Sequence, residues 1–257
     1  MKKTKTEIDI NTLPPQIHYL FKDANLYDSS SSAGATVYYL DTGYYVKTAA
    51  VHTLANEARL SRLFYERGLG VEVIDYISTD KDYLVTRSAV GEDLTHYLYE
   101  PEKLCQILAT ALRVLHTQPI TDVPISRKYQ YYMERTNGSL DDGCYDEFLA
   151  VERFYVKSKE EAWENMQSGK KFLKTDTLIH GDACLPNVLQ HMDRFSTFID
   201  FDMAGVGDKH IDLFWAIWSL QYNLKTDAYT DLFLDLYGRE NFDEDMLRVI
   251  AAFELFG

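Results

Sequence analysis

The chain has 257 residues, 46% of them apolar, with nineteen tyrosines and thirteen phenylalanines, which is enough for one large domain or two lobes around packed cores. Its formal net charge of −14 argues against a nucleic-acid partner, which would need a basic face, and suits a cationic one. No run of about twenty apolar residues is present, Thr4 to Thr12 is too polar for a signal-peptide core, and Cys105, Cys144 and Cys184 lack the number and spacing of a disulfide framework or zinc site; the expectation is a cytoplasmic protein with no membrane partner.

In chain order, Ser29-Ser30-Ser31-Ser32-Ala33-Gly34 is a small-residue loop between two strand-like runs, the second being Thr36 to Leu40. Asp41-Thr42-Gly43 marks a turn, and Tyr44 to Lys47 resumes a strand. Leu54 to Arg67 has helical periodicity and stops at Gly68. Val71 to Ile77 and Lys81 to Thr86 alternate as a second hairpin. After Gly91 the pattern turns helical over 94–99, 101–116, 146–166, 208–222, 227–237 and 243–256. The reading is an α+β chain: a β-rich N-terminal lobe over 1–88 and a larger, mainly helical lobe over 89–257.

Short strands interrupt the helical part at Thr177-Leu178-Ile179, Val188-Leu189 and Phe195 to Ile199, and they frame the most informative stretch. His180-Gly181-Asp182, then Asn187, then Asp200 in Phe198-Ile199-Asp200-Phe201-Asp202 supply a carboxylate, an amide and a second carboxylate in order. Phosphoryl transfer needs that set: a base to orient a hydroxyl and take its proton, and oxygen ligands for magnesium on the nucleotide phosphates. Asp182 is the expected catalytic base, with Asn187 and Asp200 the expected Mg2+ ligands. Each alone reads equally as a turn or strand-end residue; the joint spacing is what favours a site. Asp202 stands open among second ligand, orienting group and polar loop residue.

Lys47 ends an apolar strand, where a lysine needs a partner or a function. In a phosphotransferase it contacts the nucleotide phosphates and is held by a helix carboxylate, for which Glu57 is the candidate. From this pair alone, a solvent-facing lysine and a routine helix glutamate are as good an account. The Ser29 to Gly34 loop is placed to cover a phosphate with backbone N–H groups, or to serve only as a hairpin connection. Neither G-x-G-x-x-G nor a Walker P-loop is present. Asp212, near the start of an apolar helix, either holds the catalytic loop by hydrogen bonds or complements the helix dipole. Trp215 and Trp218 on that helix read as core.

His180-Gly181-Asp182-Ala183-Cys184-Leu185-Pro186-Asn187 followed by Phe198-Ile199-Asp200 resembles the aminoglycoside 3′-phosphotransferases, resistance enzymes with a two-lobed protein-kinase-like fold. The resemblance runs in order through Lys47, Glu57, a hinge at Arg87 to Gly91, and Gly207-Asp208-Lys209 with Asp212. It implies that Tyr45 and Ile199 sandwich the adenine of ATP, that backbone groups of Arg87 and Ala89 meet its edge, and that groups near Ser32 and Ala33 cover the β-phosphate. It also implies that the chain end binds an amino sugar through Glu254, Phe256 and a terminal carboxylate, helped by a lid carrying Asp141, Asp142, Asp146, Glu147, Glu152, Glu160, Glu161 and Glu164. The chain departs from the family at Asp202, usually Gly, at Met203 and Trp218, often Arg, at Phe253, and by the extra Gly257. All these departures fall on the acceptor side. The expected activity is therefore transfer of the γ-phosphate of ATP to a hydroxyl of a small cationic molecule, an aminoglycoside first. A kinase of choline, homoserine or another antibiotic, or a nucleotide-binding pseudokinase, are the alternatives.

Overall fold

The computed structural model describes residues 3–31, 34–141, 145–151, 154, 156 and 158–256. They form two compact units. Unit 1 comprises Met1–Gly91 with Ser196–Asp202, and unit 2 comprises Glu92–Phe195 with Met203–Gly257.

Unit 1 is built on a six-stranded antiparallel sheet. Its strands, in chain order, are β1 (Thr4–Thr6), β2 (Leu26–Asp28), β3 (Thr36–Leu40), β4 (Tyr44–Ala49), β5 (Val73–Ser78) and β6 (Asp82–Arg87). The spatial order is β1-β2-β3-β4-β6-β5. Alternation along β4 sorts its side chains. Val46 joins Leu26, Leu40 and Val85 in the core on one face. Ala49 joins Leu54, Ala58 and Leu84 on the other. Lys47 shares a face with Ala49, the face covered by helix α2 (Ala55–Glu66).

Both ends of α2 are fixed by hydrogen bonds that its own turns cannot make. At the start, the fully buried Asp82 accepts from the Leu54 N–H at 2.8 Å and from the Ser78 hydroxyl at 2.7 Å. At the end, Gly68 takes a left-handed φ of 70° and Leu69 N–H returns to the Phe64 carbonyl at 2.8 Å.

That returning turn also captures a distant piece of chain. The Leu69 carbonyl accepts from Phe198 N–H at 2.8 Å and from the Thr197 hydroxyl at 3.0 Å. Phe201 lays its ring on that of Phe64 with centroids 4.2 Å apart, and both are buried. Asn56 donates to the Asp202 carbonyl at 2.9 Å. Segment 196–202 thus belongs to unit 1 by its bonds, although more than a hundred residues separate it in sequence.

Unit 2 is mainly helical. Helix α3 (Pro101–His116) starts on a proline, whose missing N–H costs nothing there, and buries Leu104, Leu108, Ala111, Leu112 and Leu115 on one stripe. It packs beside α7 (Thr230–Tyr237). Helix α5 (Lys159–Gly169) packs on α8 (Glu244–Glu254), as does α6 (His210–Leu224). The strands β8 (Thr177–Ile179) and β11 (Gly205–Gly207) pair antiparallel, Leu178 opposite Val206. β9 (Val188–His191) pairs with β7 (Glu92–Asp93); the remaining labels are β10 (Arg194–Phe198), which follows β9 in the chain, and the single turn α1 (His18–Phe21) before β2.

Two readings of the helical pattern need correction. Residues 146–166 do not form one helix: Asp146 caps a single turn at Glu147–Leu149, and α5 begins only after Ser158, whose hydroxyl accepts from Glu161 N–H at 3.2 Å. Two side-chain caps start two elements where periodicity suggested one. A helix unforeseen by periodicity, α4 (Arg127–Arg135), follows Ser126, which caps it by accepting from Tyr129 N–H at 3.3 Å. Its buried stripe is Tyr132 and Arg135 rather than aliphatic residues, so the apolar pattern is weak.

Replacing Phe64 by Ala removes the ring that anchors Phe201 and leaves a cavity. Unfolding by guanidinium should report a loss of about 3–5 kcal/mol; a loss under about 1 kcal/mol would mean that Phe201 is held by other contacts.

Candidate functional site

In unit 1 the functional side chains meet around Lys47. Its ammonium donates to Glu57 Oε1 at 2.9 Å and lies 2.8 Å from Oε2. It also donates to Asp200 Oδ1 at 3.0 Å. β4 places Lys47 on the face under α2, α2 places Glu57 beside the buried Ala58, and the captured segment 196–202 places Asp200. Asp200 has a left-handed φ of 67°, a region that Asp enters more readily than most residues. Its side chain is 47% exposed, against 6% for Glu57.

The electrostatics of this triad pull in two directions. Burial alone would lower the Lys47 ammonium, but Asp200 and Glu57 outweigh it and hold the group well above its ordinary value. Burial pushes the Glu57 carboxyl up to about 7; Lys47 opposes that rise, while the charges of Asp200 and Asp202 add to it. Lys47 is thus a fixed cation.

Tyr45, two residues before Lys47, lies on the same sheet face. It forms an aromatic ladder with Tyr39 and Tyr27 across the strands, with ring centroids 5.0 and 6.1 Å apart, and Lys3 rests over the Tyr39 ring at 3.3 Å. Arg87 sits at the end of β6, its backbone N–H on the Glu72 carbonyl at 2.9 Å and its side chain on the Glu72 carboxylate at 2.7 Å. Ala89 follows in the exit loop and, like Ile199, is half-buried. Ser32 and Ala33 lie outside the described residues.

In unit 2 the loop after β8 carries Asp182. The Asn187 side-chain amide donates to the Asp182 carbonyl and to its Oδ2, both at 3.0 Å, which fixes the carboxylate and leaves Asn187 Oδ1 as the atom suited to a cation. Asp212, fully buried at the start of α6, grips the same loop. Its Oδ2 accepts from His180 N–H at 2.8 Å and its Oδ1 from Gly181 N–H at 2.7 Å. Of the two accounts open for Asp212 in the sequence, the loop clamp is the one the geometry carries. Gly181 has a φ of 81°, and a Cβ there would collide with the Met203 carbonyl. Cys184, two residues after Asp182, is held well above the ordinary thiol range by burial and then by Asp182, so it stays a thiol rather than a competing nucleophile.

Glu254 lies deep in unit 2. It is fully buried and accepts from Lys128 Nζ and Trp215 Nε1, each at 2.7 Å, and from the Tyr132 hydroxyl. Burial raises its carboxyl, against the pull of Lys128. Phe256 is likewise buried, edge-on to Tyr145 and Trp163. Lys128 also lines a pocket of about 400 Å³ with Arg127, Gln130, Tyr131, Glu134 and Met203. Sequence reasoning passes over Lys128, because a lysine near a helix start reads as surface. Trp215 and Trp218 are half-buried rather than core, and the Trp215 indole N–H satisfies Glu254. Gly257, Asp142 and Glu152 lie outside the described residues.

Among the described residues no group of three or more His, Cys, Asp or Glu side chains forms a metal cage. Within unit 1 Asp200 has Oδ1 on Lys47, and within unit 2 Asn187 has its amide nitrogen on Asp182; each side chain has another oxygen of the kind that can hold a cation.

The sequence profile of the phosphotransferase enzyme family matches residues 30–250. The chain belongs to that family. A probable aminoglycoside 3′-phosphotransferase of Lactococcus lactis is 40% identical to it over 257 residues, covering 97% of both chains. An aminoglycoside 3′-phosphotransferase of Niallia circulans is 29% identical over 177 residues, 68% of this chain and 67% of its own. Among solved structures, the aminoglycoside phosphotransferase APH(3″)-Id of Streptomyces rimosus aligns with a TM-score of 0.69 at 19% identity, covering 97% of this chain and 99% of its own. A type VIII aminoglycoside 3′-phosphotransferase aligns at 0.66 and 22%, covering 90% and 91%. The fold is that of the kinase-like phosphotransferases, and the chain is an enzyme of that type. No helix among the described residues is long and apolar enough to cross a membrane.

Two consequences follow from this geometry. Glu57 has its folded value raised above its ordinary one near 4.5, so the stability its neutral form contributes is complete below about pH 4.5 and is lost as pH rises through about 7. The stability of the wild type relative to Glu57→Gln should therefore fall across that window, as read from urea midpoints at each pH; a flat difference would show Glu57 ionised throughout. Gly181→Ala should lower the melting temperature, by about 1–3 kcal/mol of strain, and abolish turnover together; wild-type values for both would remove the steric argument.

Proposed function

We propose that the protein transfers the γ-phosphate of ATP to a hydroxyl of an aminoglycoside, the 3′-hydroxyl of a 2-deoxystreptamine compound first. The observation that carries this reading is the complete Lys47–Glu57–Asp200 triad with Asp182 and Asn187, in a chain related over 97% of its length to a probable aminoglycoside 3′-phosphotransferase. A nucleotide-binding protein without turnover has no need for both an Asp182 locked in place and an Asp200 held in the left-handed region.

Unit 1 is the nucleotide-binding part in this reading. Tyr45 and Ile199 offer faces to the adenine ring, backbone groups of Arg87 and Ala89 its edge contacts, and Ser32 and Ala33 a cover for phosphate. Lys47 supplies a permanent positive charge to the phosphate oxygens, steadied by Glu57. Asp200 and Asn187 are the ligands for magnesium, which neutralises charge on the transferring phosphate. Unit 2 is the catalytic and acceptor-binding part. Asp182, its carboxylate fixed by Asn187, orients the acceptor hydroxyl in line and takes its proton as the new oxygen–phosphorus bond forms, while the bond from the γ-phosphorus to the β–γ bridging oxygen breaks and ADP leaves.

Acceptor binding rests on charge. Aminoglycosides carry several ammonium groups, and Asp141, Asp146, Glu147, Glu160, Glu161 and Glu164 provide carboxylates to attract them. Glu254 stands as an indirect contributor: its carboxylate is matched by Lys128, so it would shape the site through that lysine unless the acceptor displaces it. This internal pairing favours, as a second reading, a kinase of another small alcohol, since it takes one carboxylate away from cation recognition.

A coupled ADP-release assay with kanamycin, a 3′-deoxy analogue, choline and homoserine tests the proposal. Turnover of kanamycin and none of the 3′-deoxy compound is expected, with Asp182→Asn lowering kcat by about 10²–10⁴-fold at nearly unchanged nucleotide affinity. Turnover of choline or homoserine alone would replace the acceptor, and a fully active Asp182→Asn would remove Asp182 as the base.

A further inference from the structure

The Asp212 clamp on the catalytic loop has two further members outside any motif. His116, the last residue of α3, has its Nε2 at 3.1 Å from Asp212 Oδ2 and its Nδ1 at 2.9 Å from the Tyr237 hydroxyl at the end of α7. The His116 side chain is 5% exposed, Tyr237 3% and Asp212 fully buried. A carboxylate only accepts, so Nε2 carries the proton that faces Asp212. In the neutral ring Nδ1 is then an acceptor, and the Tyr237 hydroxyl donates to it. Burial, followed by the charges of Asp212 and Asp208, keeps the Tyr237 phenol protonated and able to do so.

Without these two residues Asp212 Oδ2 would have one donor, His180 N–H, and the carboxylate could turn about its own axis. With them the carboxylate is held from two sides. Since its two oxygens hold the N–H groups of His180 and Gly181, its orientation sets the turn that presents Asp182.

We infer that His116 and Tyr237 are positioning residues for phosphoryl transfer: Tyr237 locks His116 in the tautomer with its proton on Nε2, and His116 thereby fixes Asp212 and the loop that aims Asp182. The inference rests on the proposed role of Asp182. The chain of contacts ends on a rigidly held base, so its loss should appear in the chemical step and not in substrate binding. A misplacement of the base on the order of 1 Å is enough to cost about 10²-fold in rate.

The test uses the full-length protein and three substitutions. Tyr237→Phe keeps the ring and removes the hydroxyl. His116→Gln keeps an amide N–H near the place of Nε2, and His116→Ala keeps neither. ¹⁵N-histidine NMR should show the wild-type His116 with its proton on Nε2 and the Tyr237→Phe ring averaging between tautomers. Tyr237→Phe should lose about 10-fold and His116→Ala about 10²-fold in kcat, with KM for ATP and acceptor unchanged and partial recovery in His116→Gln. Hydrogen exchange over 177–187 should speed up in the same order. A proton on Nδ1, kcat at the wild-type level in Tyr237→Phe, or a loss confined to KM overturns the inference. Should His116→Ala fail to fold, Tyr237→Phe decides. Should no aminoglycoside be turned over, the reading of the acceptor fails on its own; the tautomer and exchange measurements need no acceptor, and unchanged protection of the loop in both variants would then overturn the inference.

Discussion

A lysine ammonium on an apolar sheet face must find carboxylates, and in unit 1 the arrangement of the functional groups follows from how Lys47 finds them. One comes from the nearest helix. The other comes from a segment that enters unit 1 only because the turn after α2 offers it a carbonyl at Leu69 and a ring at Phe64. Glu57 and Asp200 repel each other, and Lys47 between them is what lets both approach. Removing either carboxylate therefore changes the charge of the remaining pair as well as deleting a contact. A phosphate group arriving at Lys47 would take over part of the compensation that Asp200 now supplies, releasing that carboxylate for a metal.

In unit 2 three of the buried carboxylates find their donors in different ways. Asp212 is satisfied by two backbone N–H groups and one imidazole. Asp208 is satisfied by the N–H groups of Lys174 and His210 and by the His210 ring, whose other nitrogen accepts from Asp243 N–H and so ties the start of α6 to the start of α8. Glu254 is satisfied by a lysine, an indole and a phenol. Asp208 and Asp212, bonded to backbone N–H groups and imidazole rings, act as clamps on the chain around them. Glu254 instead has its charge matched by Lys128.

The candidate site residues stand out in the sequence because their spacing is short: Asp182, Asn187 and Asp200 fall within one loop and two strands. Lys47 and Glu57 were legible because a lone lysine on an apolar strand is conspicuous. The β-rich start and helical remainder followed from the change of period near Gly91. What could not be read was long-range. Nothing local says that 196–202 is bonded to Leu69, or that His116 meets both Asp212 and Tyr237, the latter 121 residues away. Periodicity also misread 146–166, where Asp146 and Ser158 each begin a new element, and it passed over α4, whose buried stripe is made of a tyrosine and an arginine.

The departures at Met203 and Trp218 become intelligible when backbone and side chain are separated. The Met203 carbonyl accepts from the Ser126 hydroxyl at 2.7 Å and leaves no room for a side chain at Gly181, so the backbone at 203 serves the catalytic loop whatever residue stands there. Its side chain instead lines the pocket with Arg127 and Lys128, where an arginine would add a third cation beside Glu134. A thioether avoids that repulsion. Trp218 stacks on Tyr222 with planes 6° apart and donates its indole N–H to the Phe148 carbonyl, holding the Glu147–Leu149 turn. An arginine there could pair with the acidic residues of that turn, but it would not give the flat face on which Phe148 and Tyr222 rest.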